Sequence, residues 1–250
     1  MVKAAAAVAG RDVAALAGAS VATRLATRAR AERRAIWSWL PAACPDVMPR
    51  YLLHSSNMLR PTAYALLRNG FADWEAASAL AELQRTFEYS VRVIGLSSNT
   101  VVSMGGFKVT TDLTLSEFIP DSAGILILPG GDAWTEGELP EVSHAVRAVV
   151  TLGRPVAAIC AATLALAHAG LLDNRLHTSN GTGFIEKHVP EYRGQNMYRP
   201  LRSVRDKGVI TANGLAPFAF AAEIFRALVP EREGDIETYE SLYSRGLLDH

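Results

Sequence analysis

Cysteine is the scarcest residue in this chain: 250 residues carry only two, Cys44 and Cys160. With no second thiol near either, a disulfide framework and a Cys-rich zinc site are excluded, which favours a reducing compartment and a cytoplasmic protein. Net charge is also missing. Twenty-five Lys and Arg balance twenty-five Asp and Glu, so the whole chain advertises no nucleic acid, anionic membrane or acidic substrate. Long apolar runs are absent but for one. Residues 155–172 hold no Asp, Glu, Lys or Arg over eighteen positions, close to the minimum for a membrane-spanning helix. That run opens with Pro155, has β-branched Val156 and Ile159 before Cys160, and turns Ala/Leu-rich only afterwards, the pattern of a buried strand running into a helix. No Lys/Arg-rich flank or second span accompanies it, so no membrane is expected. What is present, 49% hydrophobic and 20% charged residues, fills a real core and excludes disorder, collagen and coiled coil.

The charge is unevenly spread. Residues 1–50 carry eight Lys/Arg and three Asp/Glu, a surplus of five positive charges that the remaining residues cancel, and the step marks a boundary. Pro41, Pro45 and Pro49 then break any regular element. The chain divides into a basic, Ala/Arg-rich helical extension at 1–40, a linker at 41–60 and a main domain at 61–250. Within the extension, residues 12–23 place a short apolar helix before Gly18 and a capping Ser20, and they resemble the helix-turn-helix opening of LacI-type repressors. After Thr23 the match fails: Arg24, Leu25 and Ala26 stand where that family has an apolar residue, Ser and a base-reading Arg. Nucleic acid is therefore expected as a partner only through residues 11–40, if at all. An organelle transit peptide, or translated sequence upstream of a start at Met58, fits the same composition.

From Thr62 the pattern becomes regular. Strands are expected at 62–67, 89–96, 125–128, 156–159 and 204–211, helices at 73–85, 141–152, 161–169, 217–228 and 231–248, and a small hairpin at 101–110 around Gly105 and Gly106. Short buried strands alternating with helices predict an α/β domain with a mainly parallel sheet covered on both faces. In such a sheet the chemistry belongs at the carboxyl ends of the strands, and the notable residues fall there. Cys160 follows the strand 156–159 directly, flanked by the small Ala161 and Ala162. A sharp strand-to-helix turn exposes such a side chain and aims it at free helix N–H groups, which favour thiolate. Gly130 and Gly131 end the preceding strand, and the Gly131 and Ala161 amides together make a candidate oxyanion hole. Glu75 lies in the opening turn of the helix after the first strand, with Asp73 as its expected N-cap.

Taken together, Phe71-Ala72-Asp73-Trp74-Glu75, Ile127-Leu128-Pro129-Gly130-Gly131, Ala158-Ile159-Cys160-Ala161-Ala162-Thr163 and Ile210-Thr211-Ala212-Asn213-Gly214 resemble the PfpI superfamily, a class I glutamine amidotransferase-like group. The resemblance covers about residues 60–230. It implies a flavodoxin-like three-layer sandwich, Cys160 as the nucleophile-elbow cysteine, Glu75 as the acid that hydrogen-bonds it, Gly131 and Ala161 at the oxyanion, and a homodimer. It also implies a small carbonyl, acyl or amide substrate, with hydrolase- or lyase-like, stress-related chemistry. The departures are specific. Many members have His directly after the cysteine, where this chain has Ala161; others have it twenty residues on, where this chain has Asn180, which cannot take a proton. His177 lies an odd step from Asn180 and so faces the other side of any strand there. Asn180, His177, Asn213, Gly130 and Asp73 are supporting candidates. His188 and Glu191 have the wrong spacing and position for the amidotransferase His/Glu pair. No cofactor is expected, and metal binding has little support. Two other classes stand beside the enzyme: a redox or stress sensor in which the Cys160 thiolate is oxidised, and a regulator that binds DNA through its N-terminal segment.

Overall fold

The structure, a computed structural model, describes residues 60–97 and 100–245. The basic extension, the linker up to residue 59, the helix-turn-helix-like stretch and Met58 lie outside the described residues.

Seven strands form one sheet: β1 (Thr62–Leu67), β2 (Ser90–Gly95), β5 (Leu113–Thr114), β6 (Ala123–Leu128), β7 (Val156–Ile159), β8 (Ser203–Asp206) and β9 (Val209–Ala212), in the order β5-β2-β1-β6-β7-β9-β8. All pairings are parallel except that of β8 with β9. The remaining pair, β3 (Thr100–Val102) and β4 (Lys108–Thr110), makes an antiparallel hairpin of its own. The α-helices among the described residues are α1 (Asp73–Arg85), α2 (Pro140–Thr151), α3 (Thr163–His168), α4 (Phe184–His188), α5 (Pro217–Leu228) and α6 (Glu233–Arg245).

The two-residue period of the strands divides the core between two faces. Tyr64, Leu66, Leu126, Leu128, Val156 and Ala158 join Val142, Val146 and Val149 of α2 and Leu164 of α3 on one side. Ala63, Ile125, Ile127, Ala157 and Ile159 pack with Ala76, Ala79 and Leu83 of α1, Phe220 and Phe225 of α5 and Ile236 of α6 on the other. The result is an α/β/α sandwich, and the run β2-β1-β6-β7-β9 reproduces the flavodoxin-like doubly wound order. From β1 the chain goes to β2 on one side and later returns to β6 on the other. A cleft opens at the carboxyl end of the sheet, lined by the first turn of α1 and by the residues that follow β7 and β9.

Three expectations need correction. The single strand at 204–211 is two: Lys207 at φ 45° and Gly208 at φ 78° turn the chain back on itself, the geometry of a tight primed hairpin, so β8 runs antiparallel beside β9. The helix at 161–169 starts later, because Cys160–Ala162 form a 3-10 turn before α3. Residues 177–180 are no strand; His177 makes one isolated bridge, to Tyr198, since β8 already occupies the free edge of β9. The uncharged run 155–172 resolves into β7, that 3-10 turn and the six-residue α3, and no helix among the described residues is long and apolar enough to cross a membrane.

Candidate active site

Cys160 sits where β7 ends, with φ at +60°. A side chain with a Cβ rarely adopts this left-handed backbone, at a cost of about 1–3 kcal/mol that the surroundings must hold in place. Here they do. The Thr163 hydroxyl donates to the Cys160 carbonyl at 2.7 Å, and because its proton is used there, the Ser179 hydroxyl donates to Thr163 Oγ1 at 2.6 Å. Residues 179 and 180 are thereby tied to the turn that carries the thiol.

Glu75, three residues into α1, is 1% exposed. The Gly130 amide donates to its Oε2 at 2.6 Å, and its carboxyl hydrogen-bonds the Cys160 thiol. Glycine is required around this pair. A Cβ on Gly130 would lie 2.6 Å from both Cys160 Cβ and Glu75 Oε2, and one on Gly214 would lie 2.9 Å from Cys160 Sγ and 3.0 Å from Glu75 Oε1. The Asn180 amide completes the group. Its Nδ2 donates to Cys160 Sγ at 3.1 Å, and its Oδ1 accepts the Gly214 N–H at 3.0 Å. That second bond fixes which end of the amide faces sulfur. Asn180 is a rigid donor that has no means of accepting the thiol proton.

Burial pushes the Glu75 carboxyl up to about 6, against the opposing pull of the Cys160 and Gly130 hydrogen bonds. It pushes the Cys160 thiol up to about 11, with the Glu75 charge adding to the rise and the Asn180 and Ala161 N–H donors opposing it. The expected low thiol pKa is therefore corrected: desolvation outweighs the donors at the turn. Between those two limits the sulfur and the carboxyl together hold one proton.

Other sequence candidates lie nearby or elsewhere. Asn213 lines the same cleft, its Oδ1 accepting the Leu215 N–H. Gly131, at φ 151°, leaves no room for a Cβ, which would lie 2.5 Å from the Gly70 carbonyl oxygen. The Ala161 amide serves the sulfur itself. Asp73 is not the N-cap, which is Ala72; its carboxylate takes the Gly105 N–H at 2.7 Å, and the Ser103 and Gly105 bonds hold its pKa below the usual range. It anchors the β3–β4 hairpin. His177 is fully buried away from the cleft. Its Nδ1 donates to the Arg175 carbonyl at 2.7 Å, so its Nε2 accepts the Tyr192 hydroxyl at 2.6 Å, and burial lowers its pKa. His188 and Glu191 do not meet: His188 Nδ1 bonds the Phe184 carbonyl, and Glu191 pairs with His168. Among the described residues no three His, Cys, Asp or Glu side chains converge as metal ligands.

Residues 61–227 match the DJ-1/PfpI family. The chain belongs to the DJ-1/PfpI family. It is 33% identical over 172 residues to the Bacillus subtilis protein named uncharacterized protease YoaZ, covering 66% of this chain and 82% of that one. Deglycase PfpI of Pyrococcus furiosus is 35% identical over 92 residues, 36% of this chain and 55% of that protein. Among solved structures, the DJ-1 superfamily protein Atu0886 of Agrobacterium tumefaciens superposes with a TM-score of 0.66 at 34% identity, covering 73% of this chain and 98% of that one. Asn180 and Ala161 stand at the positions where the resemblance drawn from the sequence implies histidine in other members. Gly214 stands in the motif at 210–214, but the bond by which its amide orients Asn180 spans 34 positions and has no local signal. Trp74, from the motif at 71–75, also reaches the cleft, as do Tyr198, Leu201 and Arg202, which no motif announces.

Proposed function

We propose that this protein is a cysteine-dependent hydrolase or lyase acting on a small carbonyl, acyl or amide compound, with Cys160 as nucleophile and Glu75 as its proton partner. The observation that carries the reading is the strained turn at Cys160, which brings its thiol against a buried carboxyl and a fixed amide donor in an open cleft. Sulfur attacks the carbonyl carbon, a C–S bond forms, the carbonyl electron pair moves onto oxygen, and the thiol proton passes to Glu75. Asn180 and Ala161 lie on the sulfur side, where they take up charge as that proton leaves. The Gly131 N–H, without a hydrogen-bond partner among the described residues, is the candidate donor for the oxyanion. When the adduct collapses, Glu75 returns the proton to the leaving amine or hydroxyl, and water releases the acyl group. The names of the relatives, protease and deglycase, support a bond beside a carbonyl carbon as the target. The proposal extends to a cytoplasmic homodimer with a stress-related role, on the composition and the family resemblance.

The test is turnover of reactive dicarbonyls, their amine adducts and amide substrates by the wild type and by Cys160→Ser. Activity that disappears in the variant supports the proposal; activity that survives it overturns the role of Cys160. One observation favours a second reading. Asn180 supplies a donor but no base, and oxidation of the sulfur to sulfenic or sulfinic acid needs no proton shuttle. Peroxide that modifies Cys160 in a protein without turnover would select that sensor.

A further inference from the structure

The cleft above Cys160 is about 670 Å³ and open to solvent. It matches the volume of an ordinary ligand site, roughly 300–1,000 Å³, and is far larger than a two- or three-carbon dicarbonyl. Its walls are apolar and strongly exposed: Trp74 is 50%, Leu201 57% and Leu215 96% accessible. The polar side chains divide sharply. Glu75, Thr178, Ser179 and Asn180 are all paired within the protein. The Arg202 guanidinium and the Asn213 amide nitrogen have no hydrogen-bond or ion-pair partner among the described residues, and Arg202 is the one cation lining the cleft. The Tyr198 hydroxyl, also in the lining, has no hydrogen-bond partner among the described residues either, so what the site leaves open is mainly donor capacity.

Strand register places these donors. Ile159 of β7 pairs with Ala212 of β9, and Ala212 pairs with Ser203 of β8. The residues at the mouth of these three strands, Cys160, Asn213 and Arg202, therefore form one row along the carboxyl edge of the sheet. The Asn213 N–H bonds the Arg202 carbonyl at 3.1 Å and closes that row. Adjacent strands lie about 4.8 Å apart, so the backbones of Cys160 and Arg202 are roughly 10 Å apart. An arginine side chain reaches across most of that gap.

We infer that the cleft takes a carbonyl, acyl or amide substrate that also bears a carboxylate, bound by Arg202 and Asn213, with an apolar or aromatic body against Trp74, Leu201 and Leu215. The inference rests on the proposed chemistry at Cys160 and names its substrate class. A single guanidinium matches the geometry and the single charge of a carboxylate. The contribution is decisive because the Cys160–Glu75 pair holds one negative charge above about pH 6; an anion without a cation to meet it would be repelled.

Two probe pairs test this in a Cys44→Ser background. Phenacyl bromide and 4-(bromoacetyl)benzoate alkylate a thiol by the same step, in which sulfur displaces bromide and the thiol proton leaves through Glu75; only the second carries a carboxylate. Acetophenone and 4-acetylbenzoate are their unreactive counterparts for calorimetric binding. After correction for each probe's rate with free cysteine, the anionic probe is expected to label Cys160 about tenfold faster than the neutral one, the value of one charge-assisted bond in an open site. The ratio should fall to one or below in Arg202→Ala and partly recover in Arg202→Lys, and 4-acetylbenzoate should lose about tenfold in affinity in Arg202→Ala. A wild-type ratio near one, or a ratio indifferent to Arg202, overturns the inference while leaving a reactive Cys160 intact. Arg202-dependent binding of 4-acetylbenzoate to a protein whose Cys160 reacts with neither bromide supports the carboxylate subsite and overturns the chemistry.

Discussion

Replacing Glu75 by Gln should stabilise the protein at neutral pH while impairing its chemistry. A glutamate carboxyl ordinarily ionises near 4.5, and burial raises this one to about 6. As pH rises from 4.5 to about 6, the unfolded chain gives up its proton while the folded chain keeps it, so the folded state loses stability across that window. Above it the loss is complete and constant. The gap between the two values corresponds to about 2 kcal/mol, and a group that is 1% exposed receives little relief from solvent. The glutamine side chain would keep an oxygen for the Gly130 N–H and carry no charge to desolvate. In a domain of this size 1 kcal/mol moves Tm by roughly 2–4 °C, so the Gln variant should melt about 4–8 °C above the wild type at pH 8 and close to it at pH 4. Calorimetric Tm from pH 4 to 8 for both proteins isolates the group, because other titrations cancel in the difference. Parallel curves, or a Gln variant that is less stable at pH 8, would refute a buried carboxyl at this position.

Three further outcomes follow from the geometry. Asn180→Asp keeps the acceptor for the Gly214 N–H but turns a donor on the sulfur into a charge beside it; Cys160 labelling by a neutral alkylating agent should slow by at least about tenfold at pH 7.5, and an unchanged rate would mean that Asn180 does not act on the thiol. Gly130→Ala puts a methyl 2.6 Å from both Glu75 Oε2 and Cys160 Cβ, so it should cost about 1–3 kcal/mol in urea unfolding and suppress labelling; an alanine that is neutral in both would contradict the packing of the pair. Tyr192→Phe leaves buried His177 Nε2 without its donor and should cost about 1–3 kcal/mol with no change in Cys160 labelling, whereas a large change in labelling would return His177 to the chemistry.

The parts of the fold that were readable were those in which local pattern and tertiary need agree. β7 announced itself by Val156 and Ile159, and the turn after it by Cys160 between an apolar strand and two alanines, because only small residues fit that corner. The same logic exposed β1, β6 and α5, whose buried faces follow their own periods. The β8–β9 hairpin was hidden because Lys207-Gly208 interrupts an otherwise continuous strand-like run, and its positive φ values appear only once the chain has doubled back. In the site, Cys160, Glu75, Gly130 and Asn180 could be named from motifs, but their protonation could not. The raised thiol depends on how closely Gly130 and Gly214 shut the pair off from water, a product of contacts made across β6, β7 and the loop after β9. Arg202 was equally illegible, since nothing local distinguishes it from other surface arginines until the register of β8 on β9 sets it in the same row as Cys160.

Whether Cys160 and Glu75 share one proton in a reactive site is read from the pH dependence of Cys160 alkylation by a neutral reagent, in Cys44→Ser protein with and without Glu75→Gln. With Glu75 present, the rate should rise as pH passes about 6 and then level off, because the fraction of the pair carrying its proton on the carboxyl is constant until the thiol is lost near 11. In the Glu75→Gln protein the thiol titrates alone, and the rate should climb by about tenfold per pH unit with no plateau. Two superimposable profiles, or a Cys160 that is not labelled at any pH, would contradict a proton-sharing nucleophile at this turn.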